Sequence, residues 1–136
     1  MSDTDDIEEI RAKKRERLLQ QAESEGEESA ESRSEPVHVG SPAEFEELTS
    51  EGVVLVDFHA DWCGPCQMLE PTIETLARES DATVAKVDID AQQAIAQQYG
   101  VRSVPTVMLF ADGEAVQRIV GVRDRSAYES AIAQHV

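Results

Sequence analysis

Five of the seven residues in Val53-Val-Leu-Val-Asp-Phe-His59 are large and apolar, and three of those are β-branched valines. Side chains of a strand alternate between two faces, so a run that is apolar on both must be covered on both. The segment predicts a buried central strand, and with it an α/β protein whose helices pack on either side of a sheet. A chain of 136 residues has material for one such core and a tail.

Punctuation on both sides of this run supplies the rest of the sheet. Val37 to Val39 reads as a short strand. Ser41-Pro42-Ala43-Glu44 offers an N-cap, a proline at the first helical position and a capping-box glutamate, while Phe45 and Leu48 form an apolar face that ends before Gly52. Met68, Leu69, Ile73, Leu76 and Ala77 recur at helical spacing, with a kink expected at Pro71. Thr83 to Asp88 alternates like a strand, Gln92 to Tyr99 reads as a helix closed by Gly100, and Thr106 to Phe110 as another strand. Ala111-Asp112-Gly113 is a hairpin turn into a strand from Ala115 to Val120, and a last helix covers about Asp124 to Gln134 with Tyr128 and Ile132 on one face. The order β-α-β-α-β-α-β-β-α contains both a βαβ crossover and a hairpin, which implies a mixed sheet.

Residues 1–35 differ in kind, holding twelve acidic and six basic residues but few large apolar ones. A frayed helix is expected from about Asp5 to Gln21, with Ile7, Ile10, Leu18 and Leu19 near one stripe, followed by a Glu/Ser-rich disordered stretch. Its basic cluster, Arg11, Lys13, Lys14, Arg15 and Arg17, reads first as a solvated helix face and second as a docking site for an acidic partner or RNA. The domain boundary is placed at Pro36, giving a charged extension over 1–35 and one domain over 36–136.

With 28 acidic against 12 basic residues the net charge is -16, which repels phosphate backbones and anionic membrane surfaces. Neither nucleic acid nor membrane is an expected partner. Nine arginines to three lysines on so acidic a chain suit a halophilic cytosol. No apolar run approaches the ~20 residues of a membrane span. The first residues lack the basic start and apolar stretch of a secretory signal, so a reducing, cytoplasmic location is expected, where a structural disulfide is disfavoured. A catalytic or metal-binding role for the two cysteines is the remaining question.

Those cysteines lie in Trp62-Cys63-Gly64-Pro65-Cys66, between the end of the central strand and the start of a helix, where open α/β sheets place their chemistry. A spacing of three sets both thiols on one face of the first turn, able to close a disulfide with little movement. Cys63, beside the unpaired N–H groups and the positive end of the helix dipole, is read as the nucleophilic thiolate, and Cys66, one turn further in, as the more buried resolving thiol. Gly64 allows a tight turn, and Pro65 loses no helical hydrogen bond in the first turn. Two thiolates can also form half a zinc site, but no second CxxC exists and His38, His59 and His135 are scattered, which favours redox chemistry and no metal.

Val56-Asp-Phe-His-Ala-Asp-Trp-Cys-Gly-Pro-Cys66, the later Val104-Pro105-Thr106 and the glycines Gly113 and Gly121 together resemble the thioredoxin family, over about residues 36–136. The resemblance implies a thioredoxin fold, a central mixed β-sheet flanked by helices on both faces. It implies a thiol-disulfide oxidoreductase acting as a general protein-disulfide reductase, working as a monomer without a cofactor. Its partners would be disulfide-containing proteins and an electron donor, thioredoxin reductase or an equivalent. By the same resemblance, Val104-Pro105 is a cis peptide facing the cysteines, with Val104 backbone groups free to pair with an extended substrate. Asp57 is the buried carboxylate behind Cys66 and its proton acceptor, and Lys86, the one lysine of the domain, lies near it. Gly121 lets substrate backbone approach, and Trp62 touches partners, although simple packing would also account for that ring.

The strand period agrees with a buried Asp57, since Val53, Leu55, Asp57 and His59 share a face. Burial should raise its proton affinity. His59 stands where the family commonly has tryptophan. Once protonated it would favour the ionised forms of Asp57 and Cys63; otherwise it only fills space. Gln67 replaces a frequent lysine, and the extension of 35 residues has no counterpart in the compact family form. An oxidant or isomerase on the same fold, and a binding module that uses the fold as a scaffold, are the competing readings.

Overall fold

A computed structural model describes residues 34–136 of the chain. The expected helix over 5–21 and the disordered stretch after it lie outside the described residues. The elements from Val37 onward are five strands, β1 (Val37–His38), β2 (Val53–His59), β3 (Thr83–Asp88), β4 (Thr106–Ala111) and β5 (Glu114–Val120), and four helices. These are α1 (Pro42–Thr49), α2 (Gly64–Glu79), α3 (Gln93–Gln98) and α4 (Arg125–Ala133).

The strands form one mixed sheet in the order β1-β3-β2-β4-β5. β3 runs parallel to both β1 and β2, whereas β4 is antiparallel to β2 and β5 to β4. β2 is therefore internal, as its apolar run requires, and Val54, Leu55, Val56, Asp57 and Phe58 are all buried. On one face Leu55, Val84, Val107 and Leu109 pack against Leu69, Ile73 and Leu76 of α2 and Tyr128 and Ile132 of α4. On the other, Val54, Val56, Phe58 and Phe110 pack against Phe45 of α1 and Ile95 of α3. The two-sided cover expected from the sequence is thus present, divided between two pairs of helices.

Several local expectations shift. Val39 leaves β1, yet its N–H still donates to the Lys86 carbonyl at 3.0 Å. Ser41 caps α1 by accepting from the Glu44 N–H at 3.1 Å, but the Glu44 carboxylate reaches back to the Gly40 N–H at 3.0 Å rather than to the cap itself. Met68 is 73% exposed and not part of the core. It sits next to Leu69, whose burial sets the inward face of α2, so the helical step of about 100° turns Met68 away from the sheet. α2 continues through Pro71 to Glu79. Among the described residues no helix is long and apolar enough to cross a membrane.

Candidate active site

β2 ends at His59, and the chain turns through Ala60, Asp61 and Trp62 before α2 starts at Gly64. The Cys63 N–H donates to the Ala60 carbonyl at 3.2 Å, and the Gln67 side chain donates to the Asp61 carbonyl at 3.3 Å. Cys63 is the N-cap of α2 in extended backbone conformation, and its Sγ accepts the Cys66 N–H at 3.1 Å. An unpaired amide at the helix start therefore points at the sulfur, where it would stabilise a thiolate. The two cysteines are joined in a disulfide with Cα atoms 5.3 Å apart, as their spacing allows.

Cys66 is not the more buried of the two, contrary to expectation: the residues are 4% and 6% exposed for Cys63 and Cys66. Both lie in a small apolar cluster with Ala60, Ile89 and Val104, where the loop before β4 folds over Cys63. Gly64 also departs from its expected role. Its backbone is not left-handed and a Cβ there would meet no atom within 4 Å, so the turn itself does not demand glycine. Pro65 falls in the first turn, where no N–H is missed.

Val104-Pro105 is a cis peptide, and the Val104 carbonyl oxygen is 3.6 Å from Cys63 Sγ. Gly121 meets this loop from the far end of the hairpin, its N–H donating to the Pro105 carbonyl at 2.8 Å. With φ at 84° and open space where a Cβ would stand, Gly121 holds a conformation that side chains disfavour. Tyr128 fixes the segment from behind, accepting the Arg123 N–H at 3.1 Å and donating to the Gly121 carbonyl at 3.4 Å. Trp62 is 69% exposed, which removes core packing as its role, and its Nε1–H donates to Asp90 Oδ2 at 2.9 Å.

Behind the cysteines lies a polar patch on the α2 face of the sheet. Asp57 is buried and stands opposite Lys86 in the β2–β3 register, with His38 opposite Lys86 on the other side. Burial pushes the Asp57 carboxyl up to about 7, partly offset by the nearby Lys86 ammonium, and Glu70 adds to the rise. Its Oδ1 has no hydrogen-bond partner among the described residues. Lys86 is also buried, yet its Nζ donates to Glu70 Oε1 at 2.8 Å. A cleft of about 220 Å³, lined by His38, His59, Cys66, Gln67, Glu70 and Lys86 among others, runs from this patch to Cys66.

Of the two readings of His59, the surroundings favour the ring that only fills space. Burial first, then the Lys86 ammonium, lowers its proton affinity, so at neutral pH it is uncharged and does not favour ionised Asp57 or Cys63. Glu70 and Tyr128 are the site residues that sequence reasoning missed. Glu70, four positions after Cys66 on a helix face otherwise turned to the core, was the available signal; Tyr128 read only as core. Among the described residues no group of three or more His, Cys, Asp or Glu is arranged to hold a metal.

Residues 36–134 match the family model described as thioredoxin. The chain belongs to the thioredoxin family. It is 47% identical over 100 residues to the thioredoxin of Chlamydia caviae, a match spanning 73% of this chain and 98% of that protein. It is 43% identical over 94 residues to the thioredoxin of Bacillus subtilis, covering 68% and 90%. Among solved structures, a mutant thioredoxin from Halobacterium salinarum NRC-1 superposes with a TM-score of 0.74 at 54% identity, over 76% of this chain and 93% of that one. The protein is accordingly a disulfide oxidoreductase with the thioredoxin fold, and Cys63–Cys66 is its redox couple. Family membership brings a reductase as electron donor and disulfides as substrates.

Proposed function

We propose that Cys63 is the attacking thiolate, Cys66 the resolving thiol and Asp57 the acceptor of the Cys66 proton. The observation that carries this reading is Cys63 Sγ at the N-cap of α2, 3.1 Å from the Cys66 N–H. The Cys63 thiolate attacks a substrate disulfide: a Cys63–substrate S–S bond forms, the substrate S–S bond breaks, and the departing thiolate takes a proton from solvent. Cys66 then gives its proton to Asp57 and attacks Cys63 Sγ: the Cys63–Cys66 bond forms, the Cys63–substrate S–S bond breaks, and the second substrate thiolate takes a proton from solvent. Two electrons have passed to the substrate. Thioredoxin reductase or an equivalent donor returns them.

Substrate is held by the exposed ring of Trp62, by the Val104 backbone beside the cis Pro105, and by the open surface at Gly64, Pro65 and Gly121, where an extended segment can approach closely. Lys86 modulates the proton affinity of Asp57 through its charge, and His59 lines the cleft beside Cys66 and Lys86. Residues 36–136 carry the activity as a monomer in a halophilic cytoplasm, and 1–35 form a charged extension. Replacing Cys66 with serine is expected to leave Cys63 in stable mixed disulfides with protein substrates, recoverable on non-reducing gels and released by dithiothreitol. A variant that traps nothing, beside a wild type that reduces insulin, would reverse the two cysteine roles.

A further inference from the structure

The Lys86 ammonium is buried between two carboxylates, and only one of them holds it. A buried cation must be paired, because desolvation otherwise costs several kcal/mol. Asp57 is its neighbour in strand register and on the same face of the sheet. Nevertheless the hydrogen bond goes to Glu70 at 2.8 Å, a half-exposed residue of α2, and Asp57 Oδ1 stays without a partner.

We propose that Glu70 is a positioning residue of the reaction: by holding Lys86 at its own carboxylate, it keeps the ammonium from closing on Asp57 and leaves that carboxyl free to take the Cys66 proton. The proposal rests on the reading of Asp57 as proton acceptor. An ammonium in direct contact would hold Asp57 ionised with a low proton affinity, making it a poor base for a thiol. Held by Glu70, Lys86 acts on Asp57 only through space, and the Glu70 charge opposes it.

The other groups facing Asp57 do not substitute for this arrangement. From β2 itself comes His59, which is uncharged at neutral pH, and from β1 comes His38, opposite Lys86. α2 contributes Cys66 beside Glu70, and α4 contributes the Tyr128 hydroxyl, which is engaged with the Arg123 and Gly121 backbone. The β4 residue opposite Asp57 is the apolar Val107.

The test is a carboxyl carbon NMR titration of Asp57 in the oxidised full-length protein, comparing wild type, Glu70→Ala, Lys86→Met and the double variant. Glu70→Ala is expected to lower the Asp57 midpoint by about one pH unit, as an ammonium closing to contact would. In the Lys86→Met background the same substitution should lower it by less than half as much. An unchanged midpoint in Glu70→Ala overturns the proposal. So does an equal fall with and without Lys86, which would leave Glu70 acting by charge alone. Single-turnover release of a Cys63 mixed disulfide, measured beside the titration for Glu70→Ala and Asp57→Asn, separates the two readings. Slow release in both variants supports positioning. Unchanged release in Asp57→Asn removes the proton-acceptor reading, while the titration still decides whether Glu70 holds Lys86 away.

Discussion

Asp57 binds its proton more tightly in the folded protein than in the unfolded chain, because the ionised form has lost its water. With the carboxyl raised from 3.8 to about 7, the folded state carries the extra proton between those values. Its contribution to stability is therefore fully present at acid pH and is lost as pH rises through that window. Asp57→Asn is expected to stabilise the fold by about 2–4 kcal/mol at pH 8 and to give no such gain at pH 4, as read from urea unfolding at the two values. The same substitution should slow the release of a Cys63 mixed disulfide by about 100-fold, the low end of what a positioned base contributes. His59 shows where a residue-level reading stops. Its place two positions along the strand left open both a cation beside Asp57 and a ring that only fills space; the Lys86 ammonium that disfavours the cation comes from β3, and no inspection of β2 alone reveals that neighbour.

Elements bring the site together at their ends. β2 delivers the chain to the N-terminus of α2, and the hairpin between β4 and β5 returns Gly121 to the cis Pro105. The hairpin turn itself is held by Asp112 and Gly113 at φ 48° and 87°. Asp112 is bonded twice to Gly52, at the entry to β2, through its N–H at 3.0 Å and its carboxylate at 2.9 Å. A Cβ at Gly113 would meet Ser50 only at ordinary contact distance, so the cost of substitution is one of backbone conformation. Gly113→Ala should destabilise the protein by about 1 kcal/mol in chemical denaturation with no change in the rate of disulfide reduction, since the turn lies at the opposite end of β4 from Pro105. The turn, the cap at Ser41 and the strand of valines were legible because each is a local signal. The Lys86–Glu70 pair was not, because its partners come from a strand and a helix sixteen residues apart.

Over the whole molecule, charge is distributed far from balance. The residues from Ser41 onward include sixteen acidic and six basic side chains, and three ion pairs join described residues: Lys86–Glu70, Arg125–Glu79 and Arg125–Glu129. Most of the acidic surface is thus self-repelling, and salt screens it as the Debye length contracts from about 10 Å to 3 Å. The melting temperature should rise by about 5 °C or more between about 0.1 M and 1 M potassium chloride; equal values would show that the repulsion is negligible. Removing residues 1–35 should leave both melting temperature and insulin reduction unchanged, because that segment has too few apolar residues to contribute a core. A truncated protein that melts well below the full chain would assign it a structural role.

The two-faced central strand, the helices that cover it and the position of Cys63 at a helix start are all legible in the linear chain. Each of these follows from side-chain periodicity or capping within a dozen residues, which a linear chain displays directly. Only the folded chain shows that Glu70 holds Lys86 and that Tyr128 braces the Gly121 loop. Those contacts depend on strand register and on which helix packs over which strand, and a shift of one residue in register would send Asp57 and Lys86 to opposite faces of the sheet.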